Sequence, residues 1–326
     1  MSVQRFEFPI SGAAPSMPAG SRQVVITGQW LKTASVVEEG LLEGETFPDP
    51  ERFVKTFRQS AAKADILTFA EKLPITEPRY PYYWEWSNLA TIPITAYPNW
   101  LKNQVEHDVR SAIKKAARLG VVVKTAEFDD AFIRGVKAIY DESPVRQGTR
   151  FWHYQKDLET IKNETSTYLD RSTFLGAYLE DQLIGFLQLV FLGNVEAVVF
   201  HSIALKKFAK LKPSNALIAK AVELCEQRGI AYMTYARYVY RDQQSSLTEF
   251  KRRNGFQKFL LPRYYIPLTA KGKLALKLRL HRPLVDLIPG PALALLRNSR
   301  ELYLRRRFRD PGDGVLSGRD QNQVPL

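Results

Sequence analysis

Apolar side chains recur at helical spacing in the middle of the chain. Leu101, Val105, Val109 and Ile113 step by four across 99–120, and Ala116 and Ala117 extend the stripe. Arg110, Lys114, Lys115 and Arg118 occupy the other faces, so the pattern predicts one long amphipathic helix stopped by Gly120. A second stripe (Leu217, Ile218, Ala221, Val222, Leu224, Cys225) predicts a helix opening at Pro213 and ending at Gly229. Further helices are expected at 51–63, capped by Asp49 with Pro50 in its first turn, and at 129–141, 153–168 and 246–253.

Runs rich in β-branched and aromatic residues predict strands at 23–30, 33–37, 64–69, 82–95, 121–126, 173–179, 183–191, 195–204, 230–235 and 256–267. Asp181-Gln182 and Gly193-Asn194 make the short turns between the middle three. From 121 to 267 the order is therefore β–α–α–β–β–β–α–β–α–β. Beyond Pro267, Leu274, Leu276, Leu278 and Leu280 alternate with polar residues, but the Lys/Arg density and Pro283 favour a surface helix. A second basic helix is expected at 291–308.

Composition narrows the class. With 326 residues, 45% hydrophobic and 12% aromatic, the chain is an ordinary globular α/β protein, with two units as the better reading. The expected divisions are a loose leader at 1–20, a first unit at 21–98, a second at 99–268, a basic arm at 269–309 and a disordered tail at 310–326. Cys225 stands alone, which excludes an internal disulfide and suits a cytoplasmic location. Pro9, Pro15 and Pro18 break up the start of the chain, so no secretory leader is expected there. Net charge is +13, and 271–310 holds eleven Lys/Arg against Asp286, Glu301 and Asp310, a net of +8. Such an arm suits an anionic partner, either the inner membrane face or a nucleic acid such as tRNA, although a solvated helix explains it as well.

Three segments carry a family resemblance. The run 109–121 (VRSAIKKAARLGV) is similar to the Arg-rich helix entering the second half of Fem-like proteins. The run 211–218 (LKPSNALI) is similar to their cofactor-helix opening, and 248–256 (TEFKRRNGF) resembles the F-K-x-x-x-G-F segment of many GNAT-like proteins. Together these resemble the GNAT acyltransferase superfold in its FemAB-like branch, whose members attach amino acids to peptidoglycan precursors. The resemblance implies a mixed, mainly antiparallel sheet flanked by helices, doubled by a degenerate N-terminal copy. It also implies an N-acyltransferase in which an amine attacks the donor directly in a ternary complex, the donor being acyl-CoA. Aminoacyl-tRNA-dependent transfer to a cell-envelope precursor and a catalytically silent ligand- or membrane-binding module are the alternatives. One departure concerns the donor: where GNAT enzymes hold pyrophosphate with a glycine loop, this chain has 207–212 (KFAKLK), with no glycine to bring backbone N–H groups close.

The same resemblance places the donor where the fold's fourth and fifth strands part. Phe200, Ser202 and Ile203 would line it, Lys207, Lys210, Lys212, Ser214 and Asn215 would meet its anionic end, and Lys251 would contact it from the late helix. Tyr235 or Tyr238 is the candidate acid for the leaving group, and His201 the candidate proton acceptor. The loop 143–154 combines Arg146, Gln147 and Arg150 with Trp152, His153 and Tyr154, which suits an anionic or sugar-bearing acceptor. For each tyrosine and for His201, ordinary sheet packing is the competing explanation. His107, His153, His201 and His281 lack ligand spacing, and no Walker loop, Rossmann fingerprint or nucleophile elbow is present.

Overall fold

The computed structural model describes residues 4–9, 21–146, 149–240 and 245–282. Its first half contains β1 (Gln4–Pro9), β2 (Ser21–Thr27), β3 (Thr33–Val36), α1 (Pro50–Gln59), β4 (Ile66–Ala70) and β5 (Tyr83–Pro93). A short helix, α2 (Tyr97–Asn99), leads through a π turn into α3 (His107–Arg118). Then follow β6 (Val121–Ala126), α4 (Asp130–Tyr140), a small hairpin of β7 (Val145–Arg146) and β8 (Thr149–Arg150), and α5 (Leu158–Thr165). The chain continues with β9 (Ser172–Leu179), β10 (Gln182–Leu192), β11 (Glu196–Ala204), a 3-10 turn at Lys206–Leu211, and α6 (Pro213–Gln227). It closes with β12 (Tyr232–Thr234), α7 (Ser246–Arg253), β13 (Gln257–Pro267) and α8 (Ala270–Lys277).

One 11-stranded sheet runs β1-β2-β3-β4-β13-β5-β12-β11-β10-β9-β6. Its pairings read nearly the same from both ends. β9, β10 and β11 are antiparallel, β11 is parallel to β12, and β12 is antiparallel to β5. In the first half β1, β2 and β3 are antiparallel, β3 is parallel to β4, and β4 is antiparallel to β13. A helix crosses between the parallel strands in each half, α1 in the first and α6 in the second. The symmetry exchanges β5 and β13, the two long central strands, which pair with each other. Each half therefore closes its sheet with a strand from the other. Ala90 and Ile92 of β5 lie in the C-terminal core, and Tyr264 and Ile266 of β13 lie in the N-terminal one.

The predicted tandem arrangement with a degenerate first copy is thus present: among the described residues a β–α–α block like β6–α4–α5 is seen before the second set of strands and not before the first. Several local expectations change. Residues 4–9, read as leader, form edge strand β1 on β2. The helix predicted over 99–120 is interrupted: Val105 turns extended (ψ 136°) and α3 restarts at His107. Trp100, fully buried, anchors the break, and Arg110 bridges it by donating from Nη1 to the carbonyls of Lys102 and Val105. The helix predicted from 153 begins at Leu158, where the Asp157 carboxylate accepts from the Thr160 N–H. α8 confirms the helical reading beyond Pro267. Most of the basic arm, and all of 310–326, lie outside the described residues.

Candidate active site

β11 and β12 hold together over only three register pairs, Glu196 with Tyr232 to Val198 with Thr234, and then part. β12 ends there, while β11 continues to Ala204 against β10 alone. A bulge between Gln188 and Leu189 leaves Phe200 without a register partner on β10 and bends the strand. From Phe200 to Ala204 every residue of this interior strand is half-buried, as an open flank requires. Phe200, His201, Ser202 and Ile203 therefore lie along a slot in the middle of the sheet.

Opposite them stands the segment after β12. Tyr235 lies within reach of Ser202 across the opening; burial pushes its phenol up, and Ser202 acts the other way. Lys251 of α7 is wholly buried. Its Nζ donates to the Arg237 carbonyl at 2.7 Å and sits 4.6 Å from the Tyr235 ring centroid and 5.4 Å from that of Tyr240. No carboxylate pairs with it among the described residues. Burial brings the ammonium down to about 8, while the carbonyl and the ring faces favour its charged form. The sequence allowed Lys251 to be a solvated helix residue; its position excludes that. Tyr238 lies farther along the segment, half-buried, its phenol raised by burial.

His201 points toward the α4–α5 side. Its ring lies 6.4 Å from Phe186 and 6.0 Å from His153, and burial pushes its imidazole down to about 4. His153 is buried, stacked on Tyr140 at 4.4 Å, with Nδ1 3.3 Å from Glu164 Oε2. It backs His201, with the exposed Trp152 ring 4.3 Å away. Trp152 is 64% exposed, and Lys156 Nζ lies 3.2 Å from its ring centroid. Tyr154 is half-buried and Arg150 exposed; Gln147 lies outside the described residues.

Arg146 is held within the fold. Its guanidinium donates from Nη1 to Ala204 O (3.1 Å) and from Nη2 to Ile139 O (2.8 Å), and it pairs with Glu142 (3.0 Å). It ties the end of α4 to the end of β11, while its buried Nε has no hydrogen-bond partner among the described residues. Glu142 is the residue the sequence reading missed. Its carboxylate accepts from the backbone N–H of Lys206 (2.8 Å) and of Lys207 (2.9 Å). The amides of Phe208 and Lys212 are taken by the Leu205 and Ala209 carbonyls. Two amides at the start of the turn expected to meet a pyrophosphate are thus already taken by a carboxylate. Asn215, also expected at the donor, donates from Nδ2 to Asn254 Oδ1 at 3.1 Å. Lys207, Lys210 and Lys212 remain exposed, beside the basic face of α3, which packs against this turn.

No family model and no curated protein matches the chain. Among solved structures, the crystal structure of FemX is similar over 79% of this chain and 88% of its own, at 11% identity and a TM-score of 0.56. The C-terminal domain of a putative lysylphosphatidylglycerol synthetase from Agrobacterium fabrum covers 78% of this chain and 84% of its own, at 15% identity and a TM-score of 0.51. At these identities the likeness is one of fold: the chain has a GNAT-like fold with the architecture of FemX. Among the described residues no helix is long and apolar enough to cross a membrane, and no group of His, Cys, Asp and Glu is arranged to hold a metal ion.

Proposed function

We propose that the chain is an aminoacyltransferase that moves an acyl group from an ester donor, a charged tRNA, to an amine. The observation that carries this reading is the slot between β11 and β12 with the buried Lys251 beside it. The donor carbonyl lies in the slot, and the amine attacks it directly. A C–N bond forms, the ester C–O bond breaks, and negative charge appears transiently on the carbonyl oxygen. The Lys251 ammonium faces that charge in a site poor in water, where fixed charge acts most strongly. His201, held neutral, takes the proton from the amine, and Tyr235 supplies one to the departing ester oxygen.

Glu142 favours the tRNA ester over acyl-CoA, because it already occupies the first two amides of the turn expected to meet a pyrophosphate. The exposed lysines 207, 210 and 212, together with Lys114, Lys115 and Arg118 of α3, suit a nucleic-acid backbone. The test is mass-action stabilisation of the fold. Charged tRNA should raise the melting temperature more than uncharged tRNA, and transfer of a labelled amino acid to a small amine should follow. A shift with acetyl-CoA and none with charged tRNA would return the donor to acyl-CoA. No shift with either would leave a silent binding module.

A further inference from the structure

We infer that the exposed face of α8, together with Trp30, docks on an anionic phospholipid bilayer. α8 turns Gly272, Ala275 and Leu276 inward, Ala275 and Leu276 packing against Ile66. Its other face leaves Leu274 56% and Leu278 57% exposed, followed by Leu280 at 40%. The helix ends in a left-handed turn at Arg279 (φ 58°), with the Leu280 N–H bonded to the Ala275 carbonyl. Trp30, 63% exposed, stands beside the first turn: Lys271 donates from Nζ to its carbonyl at 2.7 Å. Four large apolar side chains thus share one region of the surface.

The same region is strongly basic. Residues 270–282 contain five Lys/Arg and no Asp or Glu. Lys271 pairs with Asp65 and Arg282 with Glu85, but Lys273, Lys277 and Arg279 point to solvent with no ion-pair partner among the described residues. Leucines interleaved with unpaired cations match a bilayer interface, where acyl chains take the apolar groups and anionic headgroups the charges. A nucleic-acid backbone would use the charges and leave the leucines in water. The placement is directional too. Glu85 holds His281 and Arg282, and three residues along the same strand Asn88 accepts from the Val239 N–H beside the slot. The basic-apolar face thus adjoins the end of the sheet where the slot opens. The docking stands independently of the transfer chemistry.

The experiment is co-sedimentation of the full chain with phosphatidylcholine vesicles and with vesicles of phosphatidylcholine and phosphatidylglycerol in equal parts. Binding should require the anionic lipid. The paired exposed substitutions Leu274→Ser and Leu278→Ser should weaken it at least about tenfold, as should Lys273→Glu with Lys277→Glu, with thermal unfolding unchanged. Tryptophan emission should shift to the blue on anionic vesicles, and less so in Trp30→Phe. The inference is overturned if the serine variants sediment like the parent, which would put binding in residues 283–326 or have that segment cover the face. It is equally overturned if only the charge reversals matter, or if the chain retains RNA and no vesicles.

Discussion

Lys251 shows what a sequence withholds about a single side chain. The TEFKRRNGF run displays four charges within five residues, and nothing in that spacing distinguishes the buried lysine from its exposed neighbours. What buries it is the segment after β12 folding back over α7, a contact across a loop that the helical spacing of the run does not encode. With its ammonium lowered to about 8, transfer should fall as pH rises through that value. Lys251→Arg should move the decline to higher pH, and Lys251→Met should lower kcat by roughly 10²–10³-fold. Stability runs the opposite way. Between about 8 and the unfolded lysine value the unfolded chain binds more protons, so stability should increase with pH there. The gain should be on the order of 2 kcal/mol, readable as a change in denaturant midpoint that Lys251→Met removes. Glu142 gives a second test. Glu142→Gln weakens the hold on the Lys206 and Lys207 amides and on Arg146, and should cost about 1–3 kcal/mol in chemical unfolding.

Among elements, legibility followed local signals. The Asp49 cap before Pro50, the apolar runs and short turns of β9 to β11 and the stripe of α6 are written within a few residues, and each stands where the sequence puts it. The break before α3 was not legible, because the apolar stripe runs straight across it. Only the buried Trp100 and the reach of Arg110 to two carbonyls fix the interruption. Arg146 and His153 show the same limit: loop composition announces polar chemistry but not which groups the fold has engaged. α8 offers a sharp element-scale test at Gly272. A methyl group there would collide with the Asp65 carbonyl oxygen. Alanine normally favours a helix by about 1 kcal/mol over glycine. Here Gly272→Ala should instead detach α8 from β4, seen as faster hydrogen exchange across 270–280.

For the molecule as a whole, the sequence revealed the second half and only hinted at the first. The tandem plan rests on pairing between strands remote in sequence, such as Leu67 with Ile266, which no local pattern encodes. Because β5 and β13 are exchanged, a chain cut between 98 and 99 leaves both pieces without the strand that completes their sheets. Each fragment alone should show little cooperative unfolding by circular dichroism. The intact protein should give one transition by both circular dichroism and tryptophan fluorescence.

The exchange also sets a timetable for biosynthesis. The strand that seals the earlier half emerges long after it, so β4 must wait, with an unpaired edge, for some two hundred residues to be made. Until then the nascent chain offers a sticky border to its neighbours on the polysome. An edge exposed for that long is the kind of surface a holdase covers, and faster synthesis of the intervening stretch shortens the exposure.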